Sequence, residues 1–242
     1  MTLDLDRSGG GAPVDEQHDS DQRVDLAVST VIFALRPHPV TGEPTVWLPL
    51  VRRIRQPFEG RWALPGGPLQ PHEDLASSAR NTLERTTGLA PNHLEQLYAF
   101  GRVDRSPDRV VSIVYWALVR AEEDAQVLPV PNVEWFVADE VSGLAFDHDD
   151  IVEYALTRLR AKITYSPIAY GFLPEEFTLA QLREVYEAVL GRQLDPANFR
   201  RQMIGRLEAT GRCLEGRSHR PPALYRHDPT PSRTTLTFEE TR

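Results

Sequence analysis

The sequence predicts an α/β protein in two units: a mixed α/β layer structure over residues 24–163, then a winged helix-turn-helix over 175–228. Three observations predict it. Apolar, β-branched runs interleave with helical periodicity in the front part. Two capped amphipathic helices followed by a hairpin pattern form the back part. Excess basic charge is concentrated in that back part, while the remainder is strongly acidic.

The front unit opens with two strand patterns, "DLAVSTVIFAL" and "TVWLPLVR", joined by the turn-rich "RPHPVTGEP". "DLASSARNTLERTTG" reads as a helix. Leu75, Ala79, Leu83 and Thr86 fall on one face, and Gly88 stands where the helix stops. "QLYAFGRV", "DRVVSIVYWALVR" and "NVEWFVA" supply three further strands, the middle one long and β-branched. "DHDDIVEYALTRLRAKI" reads as a helix capped by one of its leading aspartates.

Residues 164–174, overlapping "YSPIAYGFLPEE", read as a linker because prolines and a glycine interrupt the pattern. "FTLAQLREVYEAVLG" is then a strongly amphipathic helix, capped by Thr178 and striped with Leu179, Leu182, Val185, Tyr186 and Val189. Asp195 caps a second helix with Pro196 at its first position, and "ANFRRQMIGRL" continues it. "EATGRCLEGRSHRPPALYRHD" reads as two short strands around an arginine-rich tip. Residues 1–23 are expected to be a disordered acidic tail, and residues 229–242 a C-terminal tail without clear pattern.

Composition bounds the function. The longest apolar run, "LAVSTVIFAL", is too short to span a bilayer. The N-terminus resembles neither a secretory signal nor a transit peptide, and the single cysteine makes a reducing cytoplasm, without membrane contact, the expected location. The single cysteine, Cys213, excludes an intrachain disulfide and a multi-cysteine zinc site. Net charge is −8, yet between Arg192 and Arg226 eight arginines face only three acids, which suits a chain whose one end meets a polyanion. A solvated arginine face is the bland alternative.

The stretch "WALPGGPLQPHEDLASSARNTLERTTGL" carries the chemistry. A glycine pair lets the backbone turn tightly near phosphates, and helix positions three and four apart share one face, where carboxylates could hold magnesium. This stretch resembles the Nudix box, G-x5-E-x7-R-E-U-x-E-E-x-G-U with U aliphatic. Gly67, Glu73, Leu83, Gly88 and Leu89 match. Asn81 replaces the arginine, and Thr82, Arg85 and Thr86 replace the three helix glutamates. The resemblance implies a Nudix-like α/β/α sandwich with a mixed sheet, whose turns persist while its metal ligands are gone. No catalytic residue, metal or cofactor is therefore expected. Arg85 is expected to meet a diphosphate directly through paired hydrogen bonds, unless it is only a surface helix residue.

Further ligand candidates are Arg53, at the end of a strand; Gly66 and Gly67, at the turn; and Trp62 and Tyr115, suited either to stacking or to the core. "FDHDD" at 146–150 tempts a metal reading, but helix capping explains its aspartates, leaving His148 or Asp147 as candidate ligand contacts.

In the back unit, a 100° periodicity over Pro196–Leu207 puts Phe199, Met203, Ile204 and Leu207 on the buried side. Asn198, Arg201 and Gly205 fall opposite, with Gln202 at the flank. Amide and guanidinium groups are the side chains that pair with adenine and guanine edges. Arg200 falls toward the core and is expected to snorkel to a phosphate or pair with an acid, while Arg212, Arg217 and Arg220 suit DNA backbone contact. A Nudix-like domain followed by "FTLAQLREVYEAVLGRQLDPANFRRQM" and "ALYR" is similar to the Nudix-related transcriptional regulators, the NrtR family. That resemblance covers residues 24–228. It implies a homodimeric repressor of NAD biosynthesis genes that binds a palindromic operator and senses ADP-ribose. Other branches sense sugars. Outside the resemblance stand a pyrophosphohydrolase with a non-standard metal site and a protein-interaction adaptor.

Overall fold

A computed structural model of the chain describes residues 23–88, 93–120, 130–214, 221–229 and 236. The expected tails, except for Arg23, Pro229 and Leu236, lie outside the described residues, as does Leu89 of the box. The front unit is built on β1 (Asp25–Pro37), β2 (Pro44–Arg52), β3 (Trp62–Ala63), β4 (Gly66–Pro68), β5 (His93–Phe100), β6 (Val110–Leu118) and β7 (Val133–Val137). The sheet runs β3-β2-β1-β6-β5, with β4 also paired to β1 and β7 to β2. β1 and β6 are parallel along their length, whereas β1–β2, β1–β4 and β5–β6 are antiparallel, which makes the sheet mixed.

Strand period two sorts the buried side chains onto two faces. Val28, Ile32 and Ala34 of β1, with Tyr115 and Ala117 of β6, join Ala79 and Leu83 of α1 (Leu75–Thr87). Val31 and Phe33, with Val114, Trp116 and Leu118, join Ile151, Ala155 and Leu159 of α2 (His148–Lys162). The expected α/β/α sandwich results. α1 is capped by Asp74, whose carboxylate accepts from the Ser77 amide at 2.8 Å, and ends at Gly88 with φ 71°. The glycine at 66 has a packing reason: a Cβ there would stand 2.7 Å from the Val28 carbonyl oxygen, so only glycine lets β4 approach β1.

The start of α2 departs from expectation. Asp147 makes no side-chain cap. It forms a bidentate pair with Arg105 at 2.8 and 2.7 Å, and both side chains are almost completely buried. Asp149 instead accepts from the Gly143 and Leu144 amides at 3.0 and 3.2 Å, fixing the preceding turn.

The segment expected to be a linker is a packed joint. Pro167–Phe172 forms a 3-10 turn whose Ile168, Ala169 and Phe172 enter the main core, because its apolar side chains alternate with the breakers. Beyond it come β8 (Phe177–Thr178), α3 (Leu179–Leu190), α4 (Pro196–Met203), β9 (Leu207–Cys213) and β10 (Ala223–His227). Thr178 and Gln181 form a reciprocal capping box at the start of α3, which ends at Gly191 with φ 67°. β8-β10-β9 is a three-stranded sheet, one strand more than the hairpin pattern predicts; β8 is too short for periodicity to reveal. α3 packs against β2, and the core continues from Leu48 and Leu50 through Leu182 and Tyr186 to Phe199 and Met203. Arg160 ties the two units further, donating to the Val189 carbonyl at 3.0 Å and to both Asp139 oxygens at 2.7 Å.

Candidate functional site

Two adjoining cavities open around the box. The larger, about 680 Å³, runs from β4 to the start of α2 and is lined by Gly66, Gly67, Glu73, Arg105, Phe146 and His148 among others. The smaller, about 480 Å³, lies over the box helix and is lined by Arg52, Arg53, Arg55, Thr82, Arg85 and Thr86 among others. Arg53, Leu64 and Gly66 belong to both walls, so a ligand can span the pair. Their sizes suit small-molecule sites.

The helix face that carries metal ligands in the box pattern cannot do so here. Thr82 and Thr86 are buried, and the Thr86 hydroxyl is spent on the Thr82 carbonyl at 2.7 Å. Arg85 donates from Nε to the Asn81 carbonyl at 3.3 Å, and Nη2 lies 3.5 Å from the Thr82 hydroxyl, which leaves its guanidinium at the cavity. Glu73, the one retained acid, accepts from Asn81 at 3.1 Å and thereby fastens the loop to the helix. Neutral hydroxyls and a cation are poor partners for magnesium, which binds through carboxylates. Among the described residues no three His, Cys, Asp or Glu side chains group as a metal site. The residues present do not fit the metal that the box pattern implies.

Arg53 is held at the junction by hydrogen bonds from Nε to the Pro57 carbonyl at 2.8 Å and from Nη2 to the Arg55 carbonyl at 3.4 Å, with its guanidinium 4.6 Å from the Phe146 ring. His148 is buried, and its Nδ1 accepts from the Leu64 amide at 2.9 Å, so the neutral ring carries its proton on Nε2. Burial lowers its pKa to about 4; Asp147 opposes that shift, while Arg105 and Arg53 reinforce it. His148 thus meets the cavity as a neutral donor near pH 7.

Two expected ligand residues are placed elsewhere. Tyr115 faces α1 in a cluster with Val28 and Ala79, because its odd position on β6 falls on that side of the sheet. Trp62 packs edge-on against Phe136, with centroids 5.0 Å apart, and lines neither cavity. Conversely, Arg52 and Arg55 belong to the smaller cavity. The signal was present in the run "VRRIR", where three arginines in four residues end a strand. Arg105 gave no such signal, since its partner lies 42 residues away.

In the back unit, α4 stops at Met203 and a 3-10 turn takes over at Ile204–Arg206, so the helical phase does not extend to Leu207. Phe199 and Met203 are buried as expected, with Phe199 edge-on to Tyr186 at 5.3 Å. Ile204 is 38% exposed, and Leu207 has moved into β9. Asn198 is buried rather than opposite the core, because neighbouring side chains cover it. Its Oδ1 accepts from Arg201 at 2.7 Å and from Gln202 at 3.3 Å. Arg200 is exposed, as a snorkelling side chain is expected to be. Arg200, Arg201 and the half-buried Gln202 are therefore the groups α4 offers outward, with Asn198 orienting two of them. Arg212 shares Glu176 with Arg226, at 2.9 and 2.7 Å, so this wing guanidinium already has an internal partner. Arg217 and Arg220 lie outside the described residues. No described helix is long and apolar enough to cross a membrane.

Comparison with known proteins matches residues 27–159 to the NUDIX domain and residues 169–227 to the NrtR DNA-binding winged helix domain. An ADPR responsive transcriptional repressor of Acinetobacter baylyi is 34% identical over 186 residues, 73% of this chain and 74% of that protein. An ADP-ribose pyrophosphatase of Methanocaldococcus jannaschii is 32% identical over 110 residues, covering 43% of this chain and 62% of the enzyme. Among solved structures, Shewanella oneidensis NrtR superimposes with a TM-score of 0.74 at 32% identity, covering 88% of this chain and 99% of that one. The same protein complexed with a 27mer DNA gives a TM-score of 0.72 at 31% identity, over 89% and 99% of the respective chains.

Proposed function

Because the chain belongs to the NrtR family of Nudix-related transcriptional regulators, we propose that it is a DNA-binding repressor of NAD biosynthesis genes. It acts as a cytoplasmic homodimer on a palindromic operator, and its Nudix domain senses ADP-ribose or a related nucleotide without cleaving it or requiring a metal. The observation that carries this reading is Arg85, a guanidinium on the former ligand face of the box helix, lining a cavity with no carboxylate in its wall. The ADP-ribose responsiveness of the Acinetobacter relative supports the choice of effector.

A diphosphate bound by Arg85 and Arg53 has its charge met by paired hydrogen bonds to guanidinium instead of by magnesium. His148 Nε2–H adds a neutral donor in the larger cavity, where the rest of the ligand lies. With no metal to polarise a phosphoryl oxygen or activate water, the ligand persists, as a signal must. Coupling runs along β2. Arg52 ends that strand, Arg53 follows it at the ligand, and α3 of the DNA-reading unit rests on its body. A ligand that shifts β2 by favouring one packing of α3 changes how two α4 helices address half-sites about one helical turn apart or a multiple.

Gel shifts of the full chain on its own upstream region and on NAD-biosynthesis promoters test the reading. The expected result is a sequence-specific complex with steep salt dependence, whose affinity ADP-ribose changes roughly 5–150-fold. A specific complex indifferent to ADP-ribose, or no specific complex, would overturn it.

A further inference from the structure

The smaller cavity holds more positive charge than a diphosphate uses. Arg52, Arg53, Arg55 and Arg85 all line it, and no Asp or Glu does. The acceptors that orient three of these side chains are neutral: Arg52 donates to the Gly60 carbonyl at 3.3 Å, Arg53 to those of Pro57 and Arg55, and Arg85 to that of Asn81. Carboxylates pair instead with arginines elsewhere, such as Arg102, Arg105 and Arg160. Four like charges around one cavity repel one another, and a bound anion of matching charge relieves that repulsion.

A diphosphate bridging two sugars has one charge on each phosphate, which leaves half the set unmatched. A terminal phosphate brings about −1.5 to −2 more and three strong acceptor oxygens. The cavity, at about 480 Å³, has room for it beyond the diphosphate, because the larger cavity of about 680 Å³ takes the nucleoside side. Resting on the reading that Arg53 and Arg85 hold the diphosphate, we propose that Arg52 and Arg55 form a subsite for a third, terminal phosphate. The related nucleotide this sensor accepts is then a phosphoanhydride longer than ADP-ribose carries. Nucleoside triphosphates and free polyphosphate share that chemistry.

Calorimetry on the full chain in chelator, with pyrophosphate, tripolyphosphate, ATP and ADP-ribose as probes, tests this. Tripolyphosphate is expected to bind at least about tenfold tighter than pyrophosphate, with one site per chain, and to be displaced by ADP-ribose. The double variant Arg52→Gln/Arg55→Gln, both exposed positions, is expected to erase that preference while lowering ADP-ribose affinity far less. ATP binding tighter than tripolyphosphate identifies a nucleotide as the source, and equal binding identifies free polyphosphate; either supports the subsite. Equal affinity for pyrophosphate and tripolyphosphate, or a preference that the double variant retains, overturns the subsite while leaving ADP-ribose sensing intact. Absence of ADP-ribose binding defeats the underlying reading instead. A variant that loses operator affinity but keeps its polyphosphate preference assigns the two arginines to DNA and also overturns the subsite.

Discussion

Arg85 in the sensor and Arg201 in the DNA reader both leave an exposed helix face, yet their surroundings differ. Arg201 is gripped at 2.7 Å by Asn198, which Gln202 also reaches, so the guanidinium proposed to read a base is oriented within the free chain. Arg85 has only a helix carbonyl at 3.3 Å and a hydroxyl at 3.5 Å, in a cavity without carboxylates. The difference separates two uses of the same side chain. In the reader, geometry is fixed in advance and the cost of ordering falls before binding. On the box helix, charge is left open, which suits the proposed diphosphate. Arg105 is the third case: its charge is wholly satisfied inside the fold by Asp147.

This contrast predicts which arginines matter for stability and which for binding. Arg105→Ala is expected to have the largest effect, about 3–5 kcal/mol off the unfolding free energy in urea, because it strands a buried carboxylate. Loss of less than about 1 kcal/mol would mean the pair is not closed to water. Arg85→Ala, in contrast, is expected to leave stability within about 0.5 kcal/mol.

Next comes pH. His148 has its folded pKa lowered to about 4 from 6.5, so protonation opposes folding. Its contribution is complete above pH 6.5 and is lost as pH falls from there toward about 4, on the order of 3 kcal/mol. Denaturation series at pH 7 and pH 4.5 are expected to differ more for the native chain than for His148→Gln. Parallel pH dependence in the two proteins would remove His148 as the cause.

In the reader the effects are smaller and concern discrimination. Arg201→Ala is expected to cost about 1–3 kcal/mol between operator and mismatched duplex, and Asn198→Ala a lesser share of the same quantity. Binding titrations on both duplexes separate these outcomes. An Asn198→Ala variant that loses affinity equally for both would make Asn198 a packing residue and not a guide for Arg201.

Much of this was legible in the sequence, for physical reasons that also mark where legibility stops. Local signals held: period two laid out the long strands, Thr178 and Asp195 capped their helices, and Gly88 ended α1. The box pattern located the cavities because its turns are set by residues close in sequence. Strands of two or three residues, β3, β4 and β8, were invisible because periodicity needs length. The cap expected from one of the leading aspartates of α2 is missing at Asp147, because Arg105, distant along the chain, takes up that carboxylate. The burial of Asn198 is not visible to helical phasing, because Arg201 and Gln202 fold over it on the same helix. At 167–172 the sequence reads as a linker because its breakers outweigh the periodicity of Ile168 and Phe172, which pack into the core.

We propose that the box senses its ligand without metal or cleavage. Titrating ADP-ribose into the full chain, once in chelator and once in magnesium, while following AMP release, tests it most directly. The same Kd in both conditions, no AMP, and a large loss of affinity in Arg85→Ala are expected. Binding that appears only with magnesium, accompanied by steady release of AMP, would contradict it.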